Sequence, residues 1–413
     1  MHEVDVIVIG AGAAGVAAAR RLDAELSVVV LEARNRIGGR AWTLPHAGLP
    51  LDLGCGWLHS ADENEWVAVA KTLGFVIDPT PPPWSRRAHQ LNFSAADQED
   101  FSDAWDRFDE RVRAAARSLH DRPAADFLEP GGRWNALLDA LSTYINGVEL
   151  DQLSVQDFAR YRNTGVNWRV ARGYGALIEA YAAPLDVRLN CPATLIDHAA
   201  RRLRVSTPRG TLDARAAIVT VPPTLIADGA LGFAPALPAK QEAAAALPLG
   251  LADKVFLALD RPDDLPVQTR LFGAVDRTAT GSYHVRPFGA PFIEGYFGGK
   301  LARELEQDDG FGVFAIDQLA ALLGNDIRKR LHPIAASAWA RDPHALGSYS
   351  YARVGCADRR AVLAAPVDDR LFFAGEACSI HDFSTAHGAY RSGVVAAEQV
   401  LHALRARLPQ AAS

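Results

Sequence analysis

The N-terminal run VDVIVIGAGAAGVAAARRLDAELSVVVLE constrains the fold more than any other stretch of the chain. A continuous apolar strand, Val4 to Ile9, leads into Gly10-x-Gly12-x-x-Gly15; an alanine-rich helix follows, then a second strand that ends in Glu32. Each piece has a physical reason. Gly10 permits the tight turn, Gly12 together with Ala14 leaves the backbone open to a pyrophosphate, and Gly15 lets helix and strand approach closely. Unpaired N–H groups at the helix N-terminus attract the anion, and Glu32 stands where an acid accepts the ribose hydroxyls of an adenosine. The segment is therefore expected to bind a dinucleotide, although the glycines alone do not separate NAD from FAD.

With 413 residues, 49% of them hydrophobic, the chain has enough material for two domains. Its apolar runs fall short of the roughly 18 residues that a membrane span needs, and MHEV passes into the strand without an export signal, so a cytoplasmic protein is expected. A net charge of −6 with scattered arginines leaves no footprint for nucleic acid or anionic lipid. Cys55, Cys191, Cys356 and Cys378 form no C-x-x-C pair, which argues against a zinc site, and no metal is expected.

After Glu32 comes Ala33, then the basic double-glycine stretch Arg34 to Arg40 in LEARNRIGGRAWT. Near the other end, LFFAGEACSIHDFSTAHGAYRSGVV reads as a strand, Gly375-Glu376, a loop and a closing helix with Ser384 or Thr385 as N-cap. Such a helix, aimed at a flavin, would stabilise the negative charge of its reduced form. With these two segments the chain resembles FAD-binding flavoproteins of the glutathione-reductase-like fold and, more narrowly, the flavin-containing amine oxidase family. The resemblance implies an α/β chain, α+β overall: a discontinuous Rossmann-like FAD-binding domain from 1–64, 185–245 and 350–413, with an inserted mixed substrate domain from 65–184 and 246–349.

The resemblance also implies roles. Gly39 and Arg40 would pass beside the diphosphate and flavin, Ala193 would lie near the adenine, Glu376 at the ribityl and phosphate region, and Thr385 and Ala386 over the flavin ring. The stretch LGCGWLHS, with Gly54, Gly56, Trp57 and His59, is similar to a block of polyamine oxidases, where the histidine could bond a substrate amine. AWARDPHALGSYSY resembles a block of polyamine oxidases and histone-lysine demethylases, which would put Trp339 beside the flavin and Tyr349 on its substrate face. Ser348 stands where monoamine oxidases carry the cysteine that links to the flavin, so the FAD is expected to be noncovalent.

Lys254, in LGLADKVFLALD, is one of only five lysines. By itself it reads as a strand-end residue reaching solvent. The resemblance makes it the lysine that bridges through water to flavin N5, an amine that burial can tune where arginine cannot lose its charge. The expected activity is oxidation of a small amine, polyamine or alkyl amine, with O₂ as the electron acceptor and an aldehyde as product. Glu63 and Glu65 could attract a polycation or be solvated helix-start acids. His387 is expected to be structural. An L-amino acid oxidase would need an arginine for the carboxylate, Arg172 and Arg286 being candidates; a flavin-binding protein without turnover is the remaining alternative. A histone demethylase is disfavoured, since no long helical insertion is present. Oligomeric state is not legible.

Overall fold

The computed structural model describes residues 3–86 and 90–406. The first strand, Glu3–Ile9, lies in the middle of an eight-stranded sheet, parallel to Val28–Leu31 on one side and to Gly210–Val219 on the other. Strand Gly210–Val219 is long enough for its outer edge to serve two partners: Leu203–Thr207 pairs antiparallel with its start, and Leu371–Phe373 pairs parallel with its end. The strands are apolar without interruption because both faces are covered. Val6, Val8 and Val30 pack on one side with the first and last helices, while Ile7, Ile9, Val29 and Leu31 pack on the other.

The last helix, Ala386–Ala406, lies against the first, Ala13–Leu22, on this sheet. Contact is close enough that a Cβ at Gly393 would stand 2.1 Å from the carbonyl oxygen of Ala14. Two distant sequence signatures thus share one core. Thr385 is the N-cap of the last helix, accepting from the N–H of Gly388 at 2.9 Å.

Glu65–Thr72 and Tyr174–Ala182, expected in the substrate unit, share the core of the dinucleotide sheet through Trp66, Tyr174, Leu177 and Ile178. Trp66 explains this: it is fully buried, meets the rings of Tyr174, Tyr181 and Tyr390 edge-on, and donates from Nε1 to the carbonyl of Ala386 at 3.1 Å. An aromatic of this size contributes more by joining the larger core than by extending a peripheral helix.

The second sheet is antiparallel, in the order Thr269–Phe272, Ser282–Val285, Phe292–Gly298, Ala252–Leu259, Leu331–Ala336. Alternation decides its two faces. Val255, Leu257, Leu271, Tyr283, Val285, Ile293 and Phe297 pack with helices Gly299–Gln307 and Phe311–Leu323. The intervening positions, Lys254, Arg270, Ser282, His284, Glu294 and Tyr296, face a cavity between the two sheets.

Candidate active site

One cavity of about 710 Å³ runs from the N-terminal glycines to the second sheet. At one end, Gly10 and Gly12 line it with Ala14, Glu32, Ala33 and Arg34; Ala193 completes that wall. Gly39, Arg40, Gly54 and Gly56 follow, then Gly375, Glu376, Thr385 and Ala386. The far end holds Trp57, His59, Lys254, Trp339 and Tyr349. Of the residues expected from sequence, only Gly15 is off the wall. Its place is behind it, where a Cβ would meet the Gly10 carbonyl oxygen at 1.9 Å, which is the close helix packing expected of it.

The Glu32 end is made of backbone. Gly10 sits at φ +105°, a conformation that glycine adopts without strain. Glu32, buried, accepts from the N–H of Ala11 at 2.8 Å and of Arg34 at 2.9 Å, so its carboxylate is fixed by the loop it follows. Gly12 forms a bridge with Gly38, and a Cβ on Gly12 would come within 3.9 Å of Gly39 Cα, a cradle with no side chain on either strand. This bare backbone, a helix N-terminus and an acid at the strand end fit the pyrophosphate and ribose of FAD. The Arg34 guanidinium is doubly bonded to Asp342 at 2.8 and 3.1 Å and lies 3.7 Å from Glu32 Oε1.

In the middle, Arg40 pairs with buried Glu376 at 2.9 Å, and Glu376 also accepts from the Ser350 hydroxyl at 2.6 Å and the Ser384 N–H at 2.9 Å. Burial alone would raise the Glu376 pKa, but Arg40 and these donors outweigh it and hold the carboxyl below the usual range. Arg360, fully buried in a bidentate pair with Asp157, braces Ser350 from behind at 2.8 Å.

The other end is made of side chains. Lys254 Nζ lies 2.9 Å from Glu294 Oε1 and donates to the Asp52 carbonyl at 2.9 Å. It is buried and does not reach solvent. Arg169 holds the second Glu294 oxygen at 3.2 Å. Although burial disfavours its charge, Glu294 stays far below the carboxylate range because Lys254 and Arg169 flank it. His284 stacks near Trp57, bonds Gln268 at 2.7 Å, and is pushed down to about 3 by burial, so it is neutral. The His59 pKa is likewise lowered by burial. Asn167 donates its amide to the Gly165 carbonyl, so its oxygen faces His59 Nδ1 at 2.6 Å; Nδ1 therefore carries the proton and Nε2 keeps a lone pair.

Trp339 is anchored at both ends, its indole N–H on the Leu53 carbonyl at 3.2 Å and its backbone N–H on Asp253 at 3.2 Å. Asp253 is fully buried next to Lys254 in the chain; burial and the neighbouring Glu306 carboxyl push its pKa well up. The Tyr349 hydroxyl donates to the Tyr144 carbonyl and stands 3.1 Å from the Tyr296 hydroxyl. His387 is buried and neutral, pushed down to about 4 by burial, and does not line the cavity, consistent with a structural position.

Glu294, Arg169, His284 and Arg270 were missed from sequence. A signal was present: Glu294 is the only charge between Arg286 and Lys300, in PFGAPFIEGYFGG, and it shares one phase of strand alternation with Tyr296. The acids considered for a polycation lie elsewhere. Glu63 is exposed, and Glu65 pairs with Arg391 at 2.8 Å. The arginines considered for a carboxylate are also outside the cavity: Arg172 stacks on Phe75 at 3.8 Å, and Arg286 is held by Asp263 and the Leu265 carbonyl. Among the described residues no helix is long and apolar enough to cross a membrane.

Comparison with known proteins follows the same lines. A family model of flavin containing amine oxidoreductases matches residues 13–161 and 148–401. The chain is 32% identical to polyamine oxidase 2 of Arabidopsis thaliana, covering 95% of this chain and 87% of the relative. To polyamine oxidase 4 of Oryza sativa subsp. japonica it is 30% identical, covering 95% and 88%. A solved structure of putrescine oxidase bound to putrescine superposes with a TM-score of 0.80 at 18% identity, covering 97% of this chain and 99% of that one. With a family match over most of its length and this cavity at its centre, the chain belongs to the flavin-containing amine oxidoreductases, enzymes that depend on FAD.

Proposed function

We propose that the protein oxidises an alkyl amine, polyamines included, at the Lys254 end of the cavity and returns the electrons to O₂ as H₂O₂. The observation that carries this reading is the continuity of the cavity from Glu32 and Ala193 to Lys254, Glu294 and His59. Bound FAD would supply a two-electron acceptor for the hydride that leaves the carbon next to the amine nitrogen, with O₂ as the final acceptor. The chain's residues do the rest. Gly10, Gly12 and the first helix N-terminus would hold the pyrophosphate, Glu32 the ribose, and Arg40 and Glu376 the middle of the cofactor. Ser348 has no thiol to offer, and its hydroxyl bonds the Ala252 carbonyl at 2.7 Å, in keeping with noncovalent FAD.

His59 Nε2, neutral and unprotonated, can accept from a substrate N–H and orient an uncharged amine. Lys254, fixed by Glu294 and the Asp52 carbonyl, would offer its N–H to a water at the cofactor. Trp339 and Tyr349 exclude bulk water around it, and released imine hydrolyses to an aldehyde. Four free cysteines agree with a reducing, cytoplasmic setting. The FAD-binding unit of the proposal takes in residues 65–72 and 174–182, leaving 95–160 and 246–349 to the substrate unit.

The test is a panel of putrescine, spermidine, spermine, aromatic amines and L-amino acids, with O₂ uptake and H₂O₂ measured together. Stoichiometric peroxide from one or more amines is expected. Turnover of α-amino acids alone would replace this reading with an amino acid oxidase.

A further inference from the structure

The cavity face of the second sheet carries an ordered series of charges. Directly opposed residues on neighbouring strands share a face, and the registers align Phe256 with Glu294, Glu294 with His284, and His284 with Arg270. Lys254 opposes Tyr296 two positions on and joins Glu294 by its ion pair. At ~4.8 Å per strand, Arg270 stands three strands from the Lys254 strand, or about 14 Å measured between backbones. The order along the wall is cation, anion, neutral imidazole, cation.

The two ends of this series differ in their partners. Glu294 has one oxygen on Lys254 and the other on Arg169. Arg270 has no carboxylate among the described residues. Its Nε donates to Ser282 Oγ at 2.9 Å, its guanidinium lies over the Phe272 ring at 4.1 Å, and neither Nη atom has an acceptor among the described residues. The side chain is half-buried and lines the cavity. Burial lowers its pKa to about 10, which leaves it a cation at neutral pH. With Nε engaged, the two Nη groups form the end-on edge that binds a carboxylate through two parallel hydrogen bonds.

We propose that Arg270 is an anion subsite, and that the amine this site takes carries a carboxylate at its far end, several bonds from the carbon that is oxidised. The inference rests on the amine oxidase reading above and narrows it. A linear dication would set its second ammonium toward a wall where Glu294 is already shared by two cations and Arg270 repels it. An ω-amino carboxylate instead pairs its anion with Arg270 and leaves the amine at the His59 and Lys254 end. An α-amino acid, with both groups on one carbon, cannot reach both places.

The experiment mixes the FAD-loaded enzyme anaerobically with two series of matched chain length, ω-amino carboxylates such as 5-aminovalerate and 6-aminohexanoate, and uncapped amines such as putrescine, cadaverine and spermidine. Flavin bleaching is followed against concentration for the wild type, Arg270→Gln and Arg270→Lys. The expected result is half-saturation at lower concentration for the carboxylates, raised about 10- to 100-fold in Arg270→Gln with the limiting rate little changed. Arg270→Lys restores part of it, and the uncapped amines are unaffected or improved. Bleaching by the uncapped amines alone, or equal half-saturation for carboxylates in wild type and Arg270→Gln, overturns the subsite and leaves the amine oxidase reading standing. The comparison of methyl esters with free carboxylates in the wild type needs no variant: equal half-saturation also overturns it. Failure of every amine to bleach the flavin removes both readings.

Discussion

The cavity wall at the Glu32 end is backbone, whereas the wall at the Lys254 end is side chains on alternate positions of four strands. Backbone recognition of a pyrophosphate demands particular residues at fixed short spacing, because the turn, the close approach and the helix start follow one another along the chain. Side-chain recognition across a sheet demands only that several strands agree in register. Its residues come from positions as far apart as Lys254 and Glu294, with no local pattern to join them. The first half is therefore intolerant of added atoms, and the second is intolerant of lost charges.

The largest effect is expected where an added atom meets backbone. Gly15→Val would drive a Cβ to 1.9 Å from the Gly10 carbonyl oxygen, with Thr220 Oγ1 at 3.0 Å. The 1.9 Å contact is with backbone, which has no rotamer to move aside, so the purified variant should carry no bound flavin in its visible spectrum; a yellow, fully loaded Gly15→Val protein would break the contrast between the two ends. Next comes Glu294→Gln, which keeps shape but leaves Lys254 and Arg169 buried without their common anion. Removing one partner from such a buried set costs about 3–5 kcal/mol, measurable by denaturant unfolding. A loss below 1 kcal/mol would mean the pair is more hydrated than its burial indicates.

Lys254→Met should leave flavin binding intact and slow flavin reduction, reoxidation or both by about 10- to 100-fold. Anaerobic and aerobic stopped-flow traces separate the two steps, and unchanged rates would remove the lysine from the chemistry. The smallest effect is pH-dependent. His284 has a folded pKa of about 3 against an ordinary 6.5, so between those values the unfolded chain binds more protons. Its contribution to stability is complete above about pH 6.5 and falls as the pH drops, by at most about 1.4 kcal/mol per pH unit. His59 and His387 shift in the same direction and add to the slope. Glu294, with its pKa depressed, adds its own loss only below the ordinary 4.5. Replacing His284 by Asn should flatten the stability curve between pH 6.5 and 4.5, while the other two histidines keep a residual slope.

Legibility in the sequence followed the same division. Gly10, Gly12, Glu32 and Arg40 could be read because their spacing is local, and the C-terminal Gly375-Glu376 and Thr385 because a strand, a turn and a cap lie within ten or so residues. Their meeting in one cavity was implied only by resemblance; the structure supplies its cause in the packing of Gly393 on Ala14. Lys254 was singled out as rare, yet nothing around it in sequence pointed to its counter-ion 40 residues later. Arg270 and His284 looked like ordinary polar residues of short strands until register placed them in one row. Trp66 and the helix Tyr174–Ala182 were assigned by neighbourhood in sequence, while burial of a large aromatic face drew them to the other core.

Anaerobic mixing of the FAD-loaded wild type with the amine panel, followed at the visible flavin band, tests the shared cavity most directly. Bleaching is expected with at least one amine, faster in the wild type than in Lys254→Met, and full recovery of the band with peroxide release on admitting O₂. A flavin that is bound and stays yellow with every amine would contradict the joining of the two ends into one active site.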